Sequence, residues 1–132
     1  MAPYTAEVLR VFARAAAADV GCVTFPFDRE FEVVIECVAG TALHATGARY
    51  RVTFDIVDLT AMRPIVQSAL VAEGGLGEST WPTPTHAFVF PVRAPGSEND
   101  GHVWKGFGHL RVGVRDAAST FAETLALLVT SP

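Results

Sequence analysis

The chain has 132 residues, of which half are apolar and 18% charged, and its formal net charge is −4. That length fits one domain, and high hydrophobicity with few charges is the reverse of the disorder signature. Acids outnumber bases by 14 to 10, so nucleic-acid binding is not expected, and no apolar stretch approaches the roughly 20 residues of a membrane-spanning helix.

Valine outnumbers leucine, threonine is plentiful, and eight prolines and eleven glycines punctuate the chain. β-Branched residues lose rotamer freedom in helices and suit a pleated sheet, so the composition leans toward β structure. Lys105 is the single lysine, and with the run Ala15-Ala16-Ala17-Ala18 it suggests a GC-rich bacterial coding bias. Met1 to Thr5 lacks the basic and apolar regions of a secretory signal, so a cytoplasmic, reducing location is expected.

In chain order, the segment from Thr5 to Ala18 has helical spacing. Val8, Leu9, Phe12, Ala13 and Ala16 share one face, and Thr5 can cap it. Two strand-like runs follow, Val20 to Phe25 and Glu30 to Val38, with a bend from Pro26 to Arg29. The second run alternates, with Phe31, Val33, Ile35 and Cys37 opposite Glu32, Val34 and Glu36. Ala39 to Ala48 reads as a loop. Arg49 to Leu59 reads as a strand with Tyr50, Val52, Phe54 and Ile56 on one face. Thr60 to Gly75 fits either a helix or a short buried strand. Gly75 to Pro84 is a loop carrying Trp81, and Thr85 to Arg93 is a strand with His86, Phe88, Phe90 and Val92 on one face. Ala94 to Gly101 is a surface connection. His102 to Arg115 is a long strand whose Gly106, Gly108 and Gly113 suggest a bulge or bend. Asp116 to Thr130 again fits strand or helix.

This pattern predicts a single, mainly β domain: an antiparallel β-sandwich of immunoglobulin-like size behind an N-terminal amphipathic helix. If both ambiguous stretches are helical, the alternative is an α+β domain ordered helix, three strands, helix, two strands, helix.

The chemistry is sparse. No nucleophile elbow, phosphate loop or dinucleotide fingerprint is present. A hairpin turning near residues 29 and 30 would set Cys22 opposite Cys37, within reach of a disulfide, although a reducing compartment favours two free thiols. His44, His86, His102 and His109 lack the close spacing of a metal site, so no metal and no cofactor is expected. Asp55 and Asp58 are three apart on one strand and face opposite sides. Glu98, Asn99 and Asp100 read as solvated turn residues.

What remains is aromatic. Trp81 lies in a loop between Thr80 and Pro82, and Trp104 and Phe107 lie on opposite faces of one strand. The expected function is a non-catalytic domain that acts through protein–protein contacts, with a protein partner or a second copy in a homodimer. The alternative is a pocket for a small apolar molecule, or a cofactor-free enzyme. Its polar groups would be His86, Asp55, Tyr50 and Arg51.

Overall fold

A computed structural model of the chain describes residues 5–18, 20–65, 71–113 and 118–132. The protein is mainly β, with more than one sheet. Ten strands are formed among the described residues: β1 (Ala6–Ala15), β2 (Thr24–Pro26), β3 (Phe31–Ala39), β4 (Arg49–Asp58), β5 (Arg63–Ile65), β6 (Val71–Gly75), β7 (Thr85–Val92), β8 (Val103–Val112), β9 (Ala118–Glu123) and β10 (Leu127–Thr130). The helical pieces are α1 (Thr41–Ala45) and a 3₁₀ turn at Ser97–Asn99.

One sheet has three strands in the order β1-β3-β7. The other is built on the long antiparallel pair β4 and β8, which stay in register from Tyr50↔Val112 to Asp58↔Trp104. The outer edge of β4 is shared by β5 and β6, and that of β8 by β9 and β10. Strand β2 closes the second sheet by pairing with β10 in parallel. Inward residues of both sheets, among them Val11, Phe31, Ile35, Phe54, Phe90, Trp104 and Leu110, form one apolar core.

The N-terminal segment is a strand, not the expected helix. The reason is a β-bulge between Val8 and Arg10, where the register with β3 shifts. A bulge puts two residues opposite one and reverses the alternation of faces. Ala6 and Val8 point inward before it, and Val11 and Ala13 point inward after it. The resulting step from Val8 to Val11 imitates helical spacing. Beyond the bulge, Arg10, Phe12 and Arg14 face outward and meet Glu36, Val34 and Glu32 in register. Arg10 and Glu36 form two charge-assisted hydrogen bonds of 2.9 Å, and Arg14 bonds Glu32 at 3.1 Å. Phe12 and Val34 lie between these pairs, with the Arg10 guanidinium 4.3 Å over the Phe12 ring. The alanine run begins a turn, closed by Ala18 N–H to the Ala15 carbonyl at 3.0 Å.

The two ambiguous stretches are also strands where they are described. The first holds β5 and β6, with residues 66–70 outside the described set, and the second holds β9 and β10. The helix-rich α+β arrangement is therefore not formed. Nor is the expected hairpin: β2 and β3 do not pair, because β3 lies between β1 and β7.

Gly106 and Gly108 introduce no bulge into β8, whose register with β4 is unbroken. At Gly108 a Cβ would come within 2.9 Å of both Ile35 and Val11, so a bare backbone here lets the two sheets approach closely. Among the described residues, no helix is long and apolar enough to cross a membrane.

Candidate functional site

The predicted site residues are sent to three different places. Tyr50, Trp81 and His86 gather at one end of the core. Tyr50 packs edge-on to Trp81 at 5.0 Å, Trp81 lies edge-on to Phe88 at 5.5 Å, and His86 to Phe88 at 4.8 Å. This cluster is a solid plug and not a pocket, because Trp81 and Tyr50 are 0% and 3% exposed. The polar atoms of Tyr50 and Trp81 are bonded within the protein. The Tyr50 hydroxyl bonds Thr80 Oγ1 at 2.6 Å, Trp81 Nε1 donates to the Pro84 carbonyl at 3.2 Å, and His44 Nε2 bonds the Trp81 carbonyl at 3.0 Å. Burial pushes the His86 imidazole below its ordinary pKa.

Trp104 is buried at the opposite end of the core, with its ring centroid 6.4 Å from that of Phe31. Directly across the sheet from it is Asp58, a fully buried carboxylate. Asp58 Oδ1 accepts the Ala61 N–H at 2.9 Å, which holds the turn after β4. Its Oδ2 is 2.7 Å from His102 Nδ1. Burial alone raises the Asp58 pKa, but the Ala61 N–H and His102 outweigh it, and the net shift is downward. The Trp104 indole nitrogen is buried with no hydrogen-bond partner, although its N–H still favours the carboxylate across the strand pair.

An oriented histidine backed by a buried acid can serve as a general base. Here the pair lacks a nucleophile: among the described residues, no hydroxyl or thiol bonds the His102 ring. Its evident work is to tie the end of β4 to the start of β8. Asp55, three residues before Asp58, is exposed on the other face, as the spacing required.

Arg51, Asp55 and Phe107 lie on the outer face of the larger sheet, with Asp55 opposite Phe107. Arg51 sits in register between Glu73 and Arg111, and these three line a recess of about 260 Å³ with Arg49, Tyr50 and Gly113. Arg49 is paired with Glu78 at 3.2 Å.

Both cysteines are free thiols. Cys37 lies in the core with Val8 and His86 as its register neighbours, so no disulfide can follow from the expected pairing with Cys22. Burial pushes the Cys37 thiol up to about 12, which makes it inert. Among the described residues, no group of three or more His, Cys, Asp or Glu side chains could hold a metal ion.

The groove that reading the sequence missed lies beside Cys22. It has a volume of about 400 Å³ and runs between Val11 to Ala13 of β1, the segment 21–24, and the turn joining β9 to β10. Val11, Val23, Leu125 and Leu127 make its walls apolar. The polar groups in it are satisfied internally. Cys22 Sγ donates to the Thr24 carbonyl at 3.2 Å, and Thr124 Oγ1 accepts the Gly106 N–H at 2.9 Å while donating to the Leu125 carbonyl at 2.7 Å. Two of the lining side chains stand open to solvent at its rim, Val23 at 44% and Leu125 at 75% exposed. No sequence motif announces this site, because its walls come from segments about a hundred residues apart.

The sequence matches no protein-family model and no curated protein. Among solved structures, the chain is similar to a β-glucosidase from Listeria innocua in complex with glucose, at 8% identity and a TM-score of 0.41. That likeness covers 91% of this chain and 16% of the other, and it carries no argument about function.

Proposed function

We propose that the protein is a non-catalytic β-sandwich module that acts through protein–protein contacts, using the groove between β1 and the β9–β10 turn. The observation that carries this reading is the apolar groove with its exposed apolar rim. Contiguous exposed apolar surface of this kind marks interaction sites. Bulky apolar side chains seated in desolvated pockets dominate the energy of such contacts. The occupant is an apolar side chain of a protein partner, since the partner's surrounding surface would also cover Val23 and Leu125, which stand at the rim.

A second reading has its own support. The groove's volume of about 400 Å³ lies within the range of small-ligand sites, so a small apolar molecule could fill it.

One selection separates the two. A displayed random-peptide library is selected on the wild-type protein and counter-selected on Leu125→Asp. Enrichment of peptides with a bulky apolar anchor, whose binding Val23→Asp also abolishes, supports the protein-contact reading. If no such peptide emerges and the fluorescent probe anilinonaphthalene sulfonate binds the wild type at one site lost in Leu125→Asp, the small-ligand reading replaces it.

A further inference from the structure

Among the described residues, strand β7 is an edge of the three-stranded sheet, paired on one side with β3. Which of its backbone groups face outward follows from a few hydrogen bonds of the sheet. The Ala39 N–H donates to the Pro84 carbonyl at 2.8 Å, so odd residues of β3 bond toward β7. The other side of the sheet agrees, because Gly40 N–H donates to the Thr5 carbonyl at 2.7 Å, and Val8 N–H, opposite Cys37, turns away to Thr120 Oγ1. In an antiparallel ladder the hydrogen-bonded pairs alternate. His86, Phe88, Phe90 and Val92 therefore spend their backbone groups on β3. Thr85, Ala87, Val89 and Pro91 present theirs to the outside.

This outward row has two irregularities. Pro91 has no N–H to offer, which is why a proline is tolerated at this position. The Thr85 carbonyl is already engaged by the Thr83 hydroxyl at 3.0 Å. The side chains along the row are exposed, and the strand, Thr-His-Ala-Phe-Val-Phe-Pro-Val, carries no Asp, Glu, Lys or Arg. Exposed edges are usually blunted by such charges.

We infer that β7 is a self-pairing edge, and that two copies of the chain join antiparallel across it about a two-fold axis at Phe88. In that register Ala87 exchanges both backbone bonds with Val89 of the second copy, and the reverse holds by symmetry. Thr85 N–H donates to the Pro91 carbonyl of the second copy. The one missing donor, at Pro91, then falls opposite the one acceptor already engaged, at Thr85. Moving the axis by one residue in either direction breaks this match, leaving Pro91 opposite the free Ala87 carbonyl or opposite Thr83, outside the strand. A two-fold axis makes the interface isologous, the commonest form of homodimer. The absence of charge along β7 removes the like-charge repulsion that two copies of one edge would otherwise bring together. The three-stranded sheets become one continuous sheet. This surface lies across β3 from the groove beside β1, so the inference does not depend on the groove.

Val89→Pro tests it cleanly, because the Val89 N–H faces outward and its loss breaks no bond to β3. Light scattering of the wild type over rising concentration should show a monomer–dimer equilibrium with a dissociation constant of about 10–100 µM. Val89→Pro should weaken it at least about tenfold, with an unchanged circular dichroism spectrum. Ala87→Lys, which needs no backbone change, should do the same. In the wild type the amides of Thr85, Ala87 and Val89 should gain protection from hydrogen exchange as concentration rises, while that of Phe88 is protected throughout. A wild type that stays monomeric at about 1 mM overturns the inference, and so does a dimer that both variants leave intact. Peptide binding in the groove should survive Val89→Pro, so failure of one proposal is distinguishable from failure of the other.

Discussion

Strand β4 crosses the core from Tyr50 to Asp58, and each of its ends rests on a buried tryptophan. At the Tyr50 end, Trp81 is fully buried and its indole N–H is bonded to Pro84. Aromatic neighbours surround it, so that end is held by apolar area. At the Asp58 end, Trp104 is as deeply buried but its N–H has no partner, and a buried carboxylate lies opposite. That end is held by pairing: Asp58 must keep the Ala61 N–H and His102, or leave a charge stranded in the core. One strand thus shows two ways of closing a β core, and they should fail differently.

The largest expected effect is at the apolar end. Trp81→Ala should cost about 3–5 kcal/mol of unfolding free energy in urea titrations, because it removes the centre of the aromatic plug. Asp58→Ala should cost about 2 kcal/mol in the same measurement, since it leaves the Ala61 N–H and the His102 ring without their acceptor.

Acid should reach the two ends in turn. The folded His86 value lies below 6.5, so the unfolded chain takes up the proton first, and stability falls as pH drops below that value. The folded Asp58 value lies below 3.8, so its contribution is complete above that pH and is lost as pH falls through the folded value. Thermal melts from pH 8 to pH 2 should show both declines. His86→Phe should flatten the first, and Asp58→Asn the second.

The smallest effect is expected from Trp104→Phe, within about 1 kcal/mol. The lost ring area is offset by relief of an unbonded buried N–H. A larger loss would show that this N–H matters to Asp58 more than its geometry indicates.

Much of the β body was legible in the sequence, because alternation is a local property. The inward faces of β3, β4 and β7 follow directly from Phe31 to Cys37, Tyr50 to Ile56 and His86 to Val92. The N-terminal strand was not legible, since one bulge turned its alternation into helical spacing. Pairing was not legible either: β1 and β7 both reach β3 past intervening segments, which no local pattern records. The site residues fared the same way. Tyr50, Trp81 and His86 do converge, but on the core, whereas the groove depends on Val23 meeting Leu125. The Asp58–His102 pair, 44 residues apart, left no trace in spacing.

The bond from Val8 to Thr120 spans 112 residues. Strand β2 likewise waits for β10, with Thr24 beside Leu128. During synthesis β1 can pair with β3 early, yet its other edge stays open until Thr120 has emerged. Chains dominated by such distant pairings fold slowly, on the order of milliseconds to seconds. For that interval the nascent protein exposes β1 and β7 together, and a ribosome-bound chain truncated before Thr120 should be the species that chaperones hold longest.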